Sequence, residues 1–303
     1  MPDMPSPFDN PLIAAILIGL SIGVVAGLIG SAVPVVARLV PFGGFGAVYV
    51  HAYGGIPHFP PAGSAAKVFY TVAIPAAIGA IFDYVRQVKR FETIVVSLSP
   101  LILIAWIGFF RFYKGGSVEF YAFIAAASLL GAVVLHQIKR IEDLPPEQNG
   151  GPIVAIAVLL ALTVGFAPIA LVSGSSTGFG LMTGLAASLG GLGLIRLLLA
   201  GAGLGWTGLA GTGAVLAACA SAALTNGKLD YIALLFLLPA AVSGQVFGKY
   251  LLPNAVLPSQ LRQVRLRCSS SRRSSSPSRL PIFGTRIAFT LNQRNQRKYS
   301  HVS

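Results

Sequence analysis

Charge is what this chain has least of. Asp, Glu, Lys and Arg make up 10% of its 303 residues, against about 25% in an ordinary soluble domain. Acid is scarcest: there are nine Asp and Glu, the last at Asp230, and none falls in the middle of an apolar run. That scarcity removes the water-facing surface a soluble fold needs, and with it any obvious proton or sodium relay through the apolar runs. Cysteine is nearly missing too. Cys219 lies in an apolar run and Cys268 in a basic tail, which excludes a disulfide framework and a thiolate metal site. Also absent are the phosphate-binding P-loop, the HExxH pair and the GxSxG elbow, so no cofactor is expected. The first ten residues, MPDMPSPFDN, carry no Lys or Arg. A secretory signal needs a basic start and a short apolar core, and the run Pro11–Ala37 is too long for one, so it reads as a retained helix.

What is present is apolar sequence, 54% of the chain, with 35 glycines. From Pro11 to Gly248 the apolar runs are broken only by one to five charges at a time. Runs near 20 residues cross a hydrocarbon core of roughly 30 Å as helices, and in lipid a helix is the way a single segment satisfies its own backbone. The expected fold is therefore all-α, a polytopic transmembrane helix bundle. Eight spans are expected: within Pro11–Ala37, then about Ala62–Phe82, Thr93–Phe110, about Val118–His136, Pro152–Val172, Thr177–Arg196, Leu204–Leu224 and Tyr231–Gly248. Residues 177–227 hold Arg196 as their single charge before Lys228; at about 1.5 Å per residue they would reach about 75 Å, too long for one crossing. The segment Leu39–Gly55 is uncharged, glycine-rich and starts with Pro41 nearby. It reads as an external loop, a re-entrant segment or a ninth span.

Three regions follow: a short N-terminal segment 1–10, a helix bundle 11–250, and a basic Ser/Arg-rich tail 251–303 expected to be disordered. The polar loop 137–151 divides the spans into two groups of four. Nearly all of the net charge of +13 belongs to the tail, since residues 1–248 carry eleven basic and nine acidic groups while 249–303 carry eleven basic groups and no acid. A whole-chain reading as a nucleic-acid binder would mistake that tail for a domain. Its composition fits a polybasic segment held at anionic lipid head groups, an unstructured end, or a shifted reading frame.

Basic residues collect on the cytoplasmic side of short loops. With the tail placed there, Arg86, Lys89, Arg90, Lys139, Arg140 and Arg196 fall inside, and Arg38, Lys67, Arg111, Lys114 and Lys228 outside. The protein is thus expected to be a multi-pass integral protein of the cell or inner membrane, with a cytoplasmic C-terminus. A ninth span would move Arg38 inside.

Small residues recur at helical spacing. Gly19, Gly23 and Gly27 share one face of the first span, and Gly180/Gly184 and Gly201/Gly205 repeat the pattern. Such faces let backbones approach closely where the hydrophobic effect between helices is absent; intramolecular packing is the plain reading and a homo-oligomer contact the sharper one. The run SGSSTGFG offers Ser173, Ser175, Ser176 and Thr177 as hydroxyl ligands at a helix start, where backbone N–H groups can face an anion. A simple turn with Thr177 as the cap explains the same letters. Arg196 is a candidate for an anion path or a residue that snorkels from a helix end. His51, His58, Arg111 and Lys114 are the polar groups an enzyme on the outer face would use.

The first span, GLSIGVVAGLIGSAVPVV, resembles the opening helix of sulfite-exporter-type permeases over these 18 residues. The run of glycines expected after that motif is missing here, and no site residue is carried over. Three readings of function stand: a small-solute permease or transporter component, a non-transporting assembly or anchoring subunit working with a membrane partner, and a membrane-embedded enzyme. Lipid is the expected surrounding, and no nucleic acid is expected.

Overall fold

The computed structural model describes residues 10–61, 64–85, 118–144, 151–172, 174–199 and 203–225, with isolated positions at 92, 95, 99 and 201. The chain divides into two compact units, Met1–Val256 and Leu257–Ser303, and every described residue belongs to the first. The spans expected at Thr93–Phe110 and Tyr231–Gly248, and the basic tail, lie outside the described residues. Among the described residues the structure is all-helical, with α1 Pro11–Ala32, α2 Pro34–Arg38, α3 Val40–Tyr53, α4 Ser64–Tyr84, α5 Val118–Asp143, α6 Pro152–Val172, α7 Ser176–Leu198 and α8 Gly205–Thr225.

Four of these are long and apolar enough to cross a membrane: Pro11–Ala32, Ala66–Tyr84, Pro152–Val172 and Ser176–Leu198. They point to a membrane-embedded protein. The burial pattern of α1 agrees. Its buried positions are Ala14, Ala15, Gly19, Gly23, Gly27 and Gly30, while Ile13, Ile16, Leu20, Val25, Leu28 and Ile29 face outward. A helix that buries its smallest residues and exposes its largest apolar ones suits a hydrocarbon surrounding and not water.

The start of α1 is set locally. Asn10 Oδ1 accepts from the Leu12 amide at 3.0 Å, and Pro11 opens the first turn, where its missing N–H costs nothing. The end of α1 is also set by a proline: Val33 is extended, and α2 begins at Pro34. The glycine-rich segment after Arg38, left open between loop, re-entrant segment and span, is the helix α3. Its glycines serve contact rather than turning. A Cβ on Gly44 would fall less than 3.0 Å from Ser188 of α7, and one on Gly184 of α7 would do the same against Val48 of α3. At about 1.5 Å per residue, the 14 residues of α3 reach about 21 Å, less than a full crossing. Gly54 closes α3 with φ 73°, a left-handed cap that favours glycine.

The tightest seam joins α1 to α7. A Cβ on Gly19 would lie within 3.0 Å of the Gly184 carbonyl, one on Gly23 would collide with the Ser188 carbonyl, and one on Gly27 would meet Ile195 at 3.1 Å. Gly191 presses back on the backbone of α1 between Leu20 and Val24. Gly180, by contrast, has nothing within 4 Å of a Cβ position. A second seam joins α4 to α8, where a Cβ on Gly79 would strike the Trp206 carbonyl. Buried hydroxyls bond to their own helices: Thr163 Oγ1 donates to the Leu160 carbonyl, Ser188 Oγ to that of Leu185 and Thr212 Oγ1 to that of Gly208, at 2.8–2.9 Å.

Helix α8 is the most enclosed: every residue from Leu204 to Val215 is buried. Around its start stand Arg38, the ends of α4 and α5, and the α7–α8 connection, as the hydrogen bonds below show. At the far end of α4 the Tyr70 hydroxyl donates to the Pro57 carbonyl at 2.6 Å.

Gly23→Ala should destabilise the protein by about 1–3 kcal/mol, the usual cost of forcing a methyl into a filled contact. Gly180→Ala should be neutral or stabilise by up to about 1 kcal/mol through helix propensity. Thermal unfolding of the detergent-purified protein distinguishes the two; equal effects would mean that α1 does not pack on α7 through Gly23.

Candidate functional site at the start of α8

A helix begins with amides that have no partner inside the helix. In an apolar interior each would cost about 1–3 kcal/mol if left unpaired. Here two carboxylates take them. Asp83, at the end of α4, accepts from the Trp206 amide and the Thr207 amide, each at 3.0 Å, and from the Thr207 hydroxyl at 2.7 Å. Glu142, near the end of α5, accepts from the Gly205 amide through Oε1 at 3.0 Å. The next amide, Gly208, bonds to the Leu204 carbonyl at 3.1 Å. The carboxylates also stand at the positive end of the helix dipole, worth up to about 2 kcal/mol in partly buried geometry.

Two cations flank the pair. Arg38 Nη1 lies 3.4 Å from Asp83 Oδ2, and its guanidinium stacks over the Tyr84 ring at 5.3 Å. Lys139 Nζ lies 3.5 Å from Glu142 Oε2 and pairs more closely with Asp143. Its ammonium sits 6.0 Å from the Trp206 ring centroid. The contact between Arg38 and Asp83 corrects the eight-span expectation that puts Arg38 on the opposite side from the loop after α4. The physical reason is α3, which starts beside Arg38 and carries the chain away along α7.

The loop that makes this packing feasible is GAGLG, residues 201–205. Its alternate glycines each face a different charged side chain. A Cβ on Gly201 would overlap the Arg196 guanidinium, one on Gly203 the Glu142 carboxylate, and one on Gly205 would lie 2.6 Å from Asp83 Oδ2. Gly205 also has φ +60°, which any other residue would adopt under strain. The expectation that Gly201 and Gly205 share a packing face of one helix is therefore replaced: Gly201 precedes α8 and Gly205 opens it, and both admit charge.

Arg196 is in the last turn of α7 and 2% exposed. Its Nη2 donates to the Gly30 carbonyl at 3.3 Å. That carbonyl is free because the residue four positions on is Pro34, which has no N–H to give it. The remaining nitrogens, Nε and Nη1, are buried without a hydrogen-bond partner, as are Arg38 Nε and Glu142 Oε2.

The other sequence candidates lie elsewhere. Ser175 is the cap of α7, its Oγ accepting from the Gly178 amide at 3.0 Å, so the capping residue is Ser175 rather than Thr177. Ser176 and Thr177 form the first turn of α7, and Ser173 lies outside the described residues. Twenty residues of helix separate Ser176 from Arg196, about 30 Å, so no small solute touches both groups at once. His51 and His58 are exposed, the first in the last turn of α3 and the second in the connection to α4; Arg111 and Lys114 lie outside the described residues. No group of three or more His, Cys, Asp or Glu suited to a metal occurs among the described residues. Asp83 and Glu142 carry no motif in the sequence beyond their places near the ends of apolar runs. The available signal was the alternate spacing of Gly201, Gly203 and Gly205 just before an apolar helix.

Comparison with known proteins returns no matching family model, no matching curated protein and no matching solved structure.

Asp83→Ala should cost about 3–5 kcal/mol, the usual result of stranding a partly buried cation, and the double change with Arg38→Met should cost less than Asp83→Ala alone. Arg196→Met should stabilise the fold by about 1–3 kcal/mol, because two unmet donors outweigh one long bond. Both are read as shifts in thermal unfolding of the detergent-purified protein; a large loss on Arg196→Met would show that the Gly30 bond holds the α1–α7 contact.

Proposed function

We propose that the protein is a multi-pass small-solute permease or transporter component, with the α8 start as its gate. The observation that carries this reading is the convergence of Arg38, Asp83, Glu142, Lys139 and Arg196, from four different helices, on one glycine loop at the head of a buried helix. Ionisable groups drawn into a membrane bundle are costly, and they commonly mark the path of a solute or ion. Interrupted or short helices whose ends meet charge are common at transporter sites. The Asp83 and Glu142 carboxylates tie α4 and α5 to the α8 amides and hold the end closed, and releasing either carboxylate frees its helix to move against α8.

We place this end in the cytoplasm. Arg38, Lys139, Arg140 and Arg196 stand at the helix ends joined there, whereas Lys67 stands in the first turn of α4 at the other end. That asymmetry follows the rule that basic residues stay on the cytoplasmic side. The cytoplasmic C-terminus and a count of nine spans, with the short helix α3 taken as one, belong to the same proposal. So does the role of Ser173, Ser175, Ser176 and Thr177 as a solute-binding helix start at the outer end.

A non-transporting assembly subunit is the second reading. It draws support from the buried hydroxyls of Thr163, Ser188 and Thr212, each spent on its own helix.

Liposomes carrying the full chain, exposed to an osmotic upshift with urea, glycerol or sodium acetate, test the two. The permease reading expects re-swelling several-fold faster than in protein-free vesicles for at least one probe, and a changed rate in Asp83→Asn. Swelling at the protein-free rate with all three, together with a partner protein that co-purifies and is lost on deletion, would decide for the subunit.

A further inference from the structure

The two carboxylates at the α8 start are not equivalent. Asp83 uses both oxygens: Oδ1 takes the Trp206 amide, and Oδ2 takes the Thr207 amide, the Thr207 hydroxyl and Arg38. Glu142 uses one. Its Oε1 takes the Gly205 amide, while Oε2 is buried with no hydrogen bond. The nearest cation to Oε2 is Lys139 at 3.5 Å, and that ammonium is already held more closely by Asp143. The Glu142 side chain is 4% exposed and that of Asp143 64% exposed.

We propose that Glu142 Oε2 is a reversible proton-binding site at this end of the bundle, exchanging with water by way of Lys139 and Asp143. A proton on Oε2 neutralises a charge that the interior solvates poorly. Nothing else at the site is lost with it, because Oε1 keeps the Gly205 amide and Lys139 keeps Asp143. In the charged form Oε2 draws Lys139 inward from Asp143. The proton therefore sets whether Lys139 is shared between Glu142 and Asp143 within the last turn of α5 or held by Asp143 alone, beside the Trp206 ring of α8. This deepens the permease reading and rests on it for the idea that the proton is coupled to movement of a solute; proton binding itself requires no solute.

The groups around Glu142 set the direction of its titration. Burial acts most strongly and pushes its pKa above that of an ordinary glutamate; Lys139 and the Gly205 and Leu204 amides oppose this, and Asp143 adds to it. Beyond the amides, across the glycine loop, stand Asp83 with Arg38, and Arg196 beside Gly201. Since the folded value is raised, the protonated form stabilises the fold fully below the ordinary carboxylate range of about 4.3. That contribution fades as pH rises through the raised value.

Infrared difference spectra of the full chain in nanodiscs, titrated with pH, read the site directly. The wild type should show a protonated-carboxyl stretch that persists above the ordinary glutamate range and vanishes as pH rises. Glu142→Gln should remove that band. Asp143→Asn alters only an exposed side chain and should move the band's titration to lower pH, because it releases Lys139 toward Glu142 and deletes a neighbouring negative charge. A band unchanged in Glu142→Gln, or a titration in Asp143→Asn that stays in place or moves upward, would overturn the proposal. These outcomes are independent of the vesicle swelling assay: a titrating Glu142 in vesicles that pass no solute would sink the permease reading and leave the proton site standing.

Discussion

The amides at the start of α8 are the constraint on which the rest of the structure turns. A helix enclosed from Leu204 to Val215 has no water at its head, so its first N–H groups need acceptors from the protein. Asp83 and Glu142 provide them, and each stands at the end of its own helix. Bringing two acids into that space requires cations, which Arg38 and Lys139 supply from two sides. Bringing any side chain so close to the chain before α8 requires positions without a Cβ, which Gly201, Gly203 and Gly205 supply. At this end α2, α4 and α5 are all tied to that one helix terminus.

Away from this end the bundle is held by contact of a different kind. Hydrocarbon outside is as apolar as leucine inside, so burying large side chains gains little, and close approach of backbones gains dispersion. The α1–α7 seam shows the consequence. Gly19, Gly23 and Gly27 lie against Gly184, Ser188 and Ile195, and the large side chains of α1 point outward. The same logic brings Gly79 of α4 onto Trp206 and Gly44 of α3 onto Ser188. The two ways of holding the fold meet at Arg196. Its long side chain reaches past the α1–α7 seam to the carbonyl that Pro34 leaves open, and its remaining donors lie against the glycine loop.

Much of the helix pattern was legible from the letters, and the reason is local. Residues 152–172 are expected as a helix and found as one with the same bounds, because the run is apolar throughout, is opened by Pro152 and ends before the glycine-serine break. The division of residues 177–227 is likewise visible, since no helix of that length fits a bilayer. The segment after Arg38 was ambiguous because glycine favours turns when exposed and close packing when enclosed, and the sequence does not say which surroundings apply. For the same reason the spacing of Gly201 and Gly205 suggests a packing face that the fold does not make: spacing four apart is a helical signal only if both residues are in one helix.

The amino-acid sequence by itself determined that the described residues form membrane-type helices with charge at the ends of apolar runs, because hydropathy and run length act residue by residue. It did not determine which charges meet. Arg38 and Asp83 are 45 positions apart, Asp83 and Thr207 124 apart, and Arg196 and Gly30 166 apart. Such pairs form only once the helices have packed, when each buried amide, carbonyl and carboxylate must take whatever partner the neighbouring helix ends present. Tertiary structure alone decided that Asp83 and Glu142, two acids of an acid-poor chain, would meet at the head of one enclosed helix.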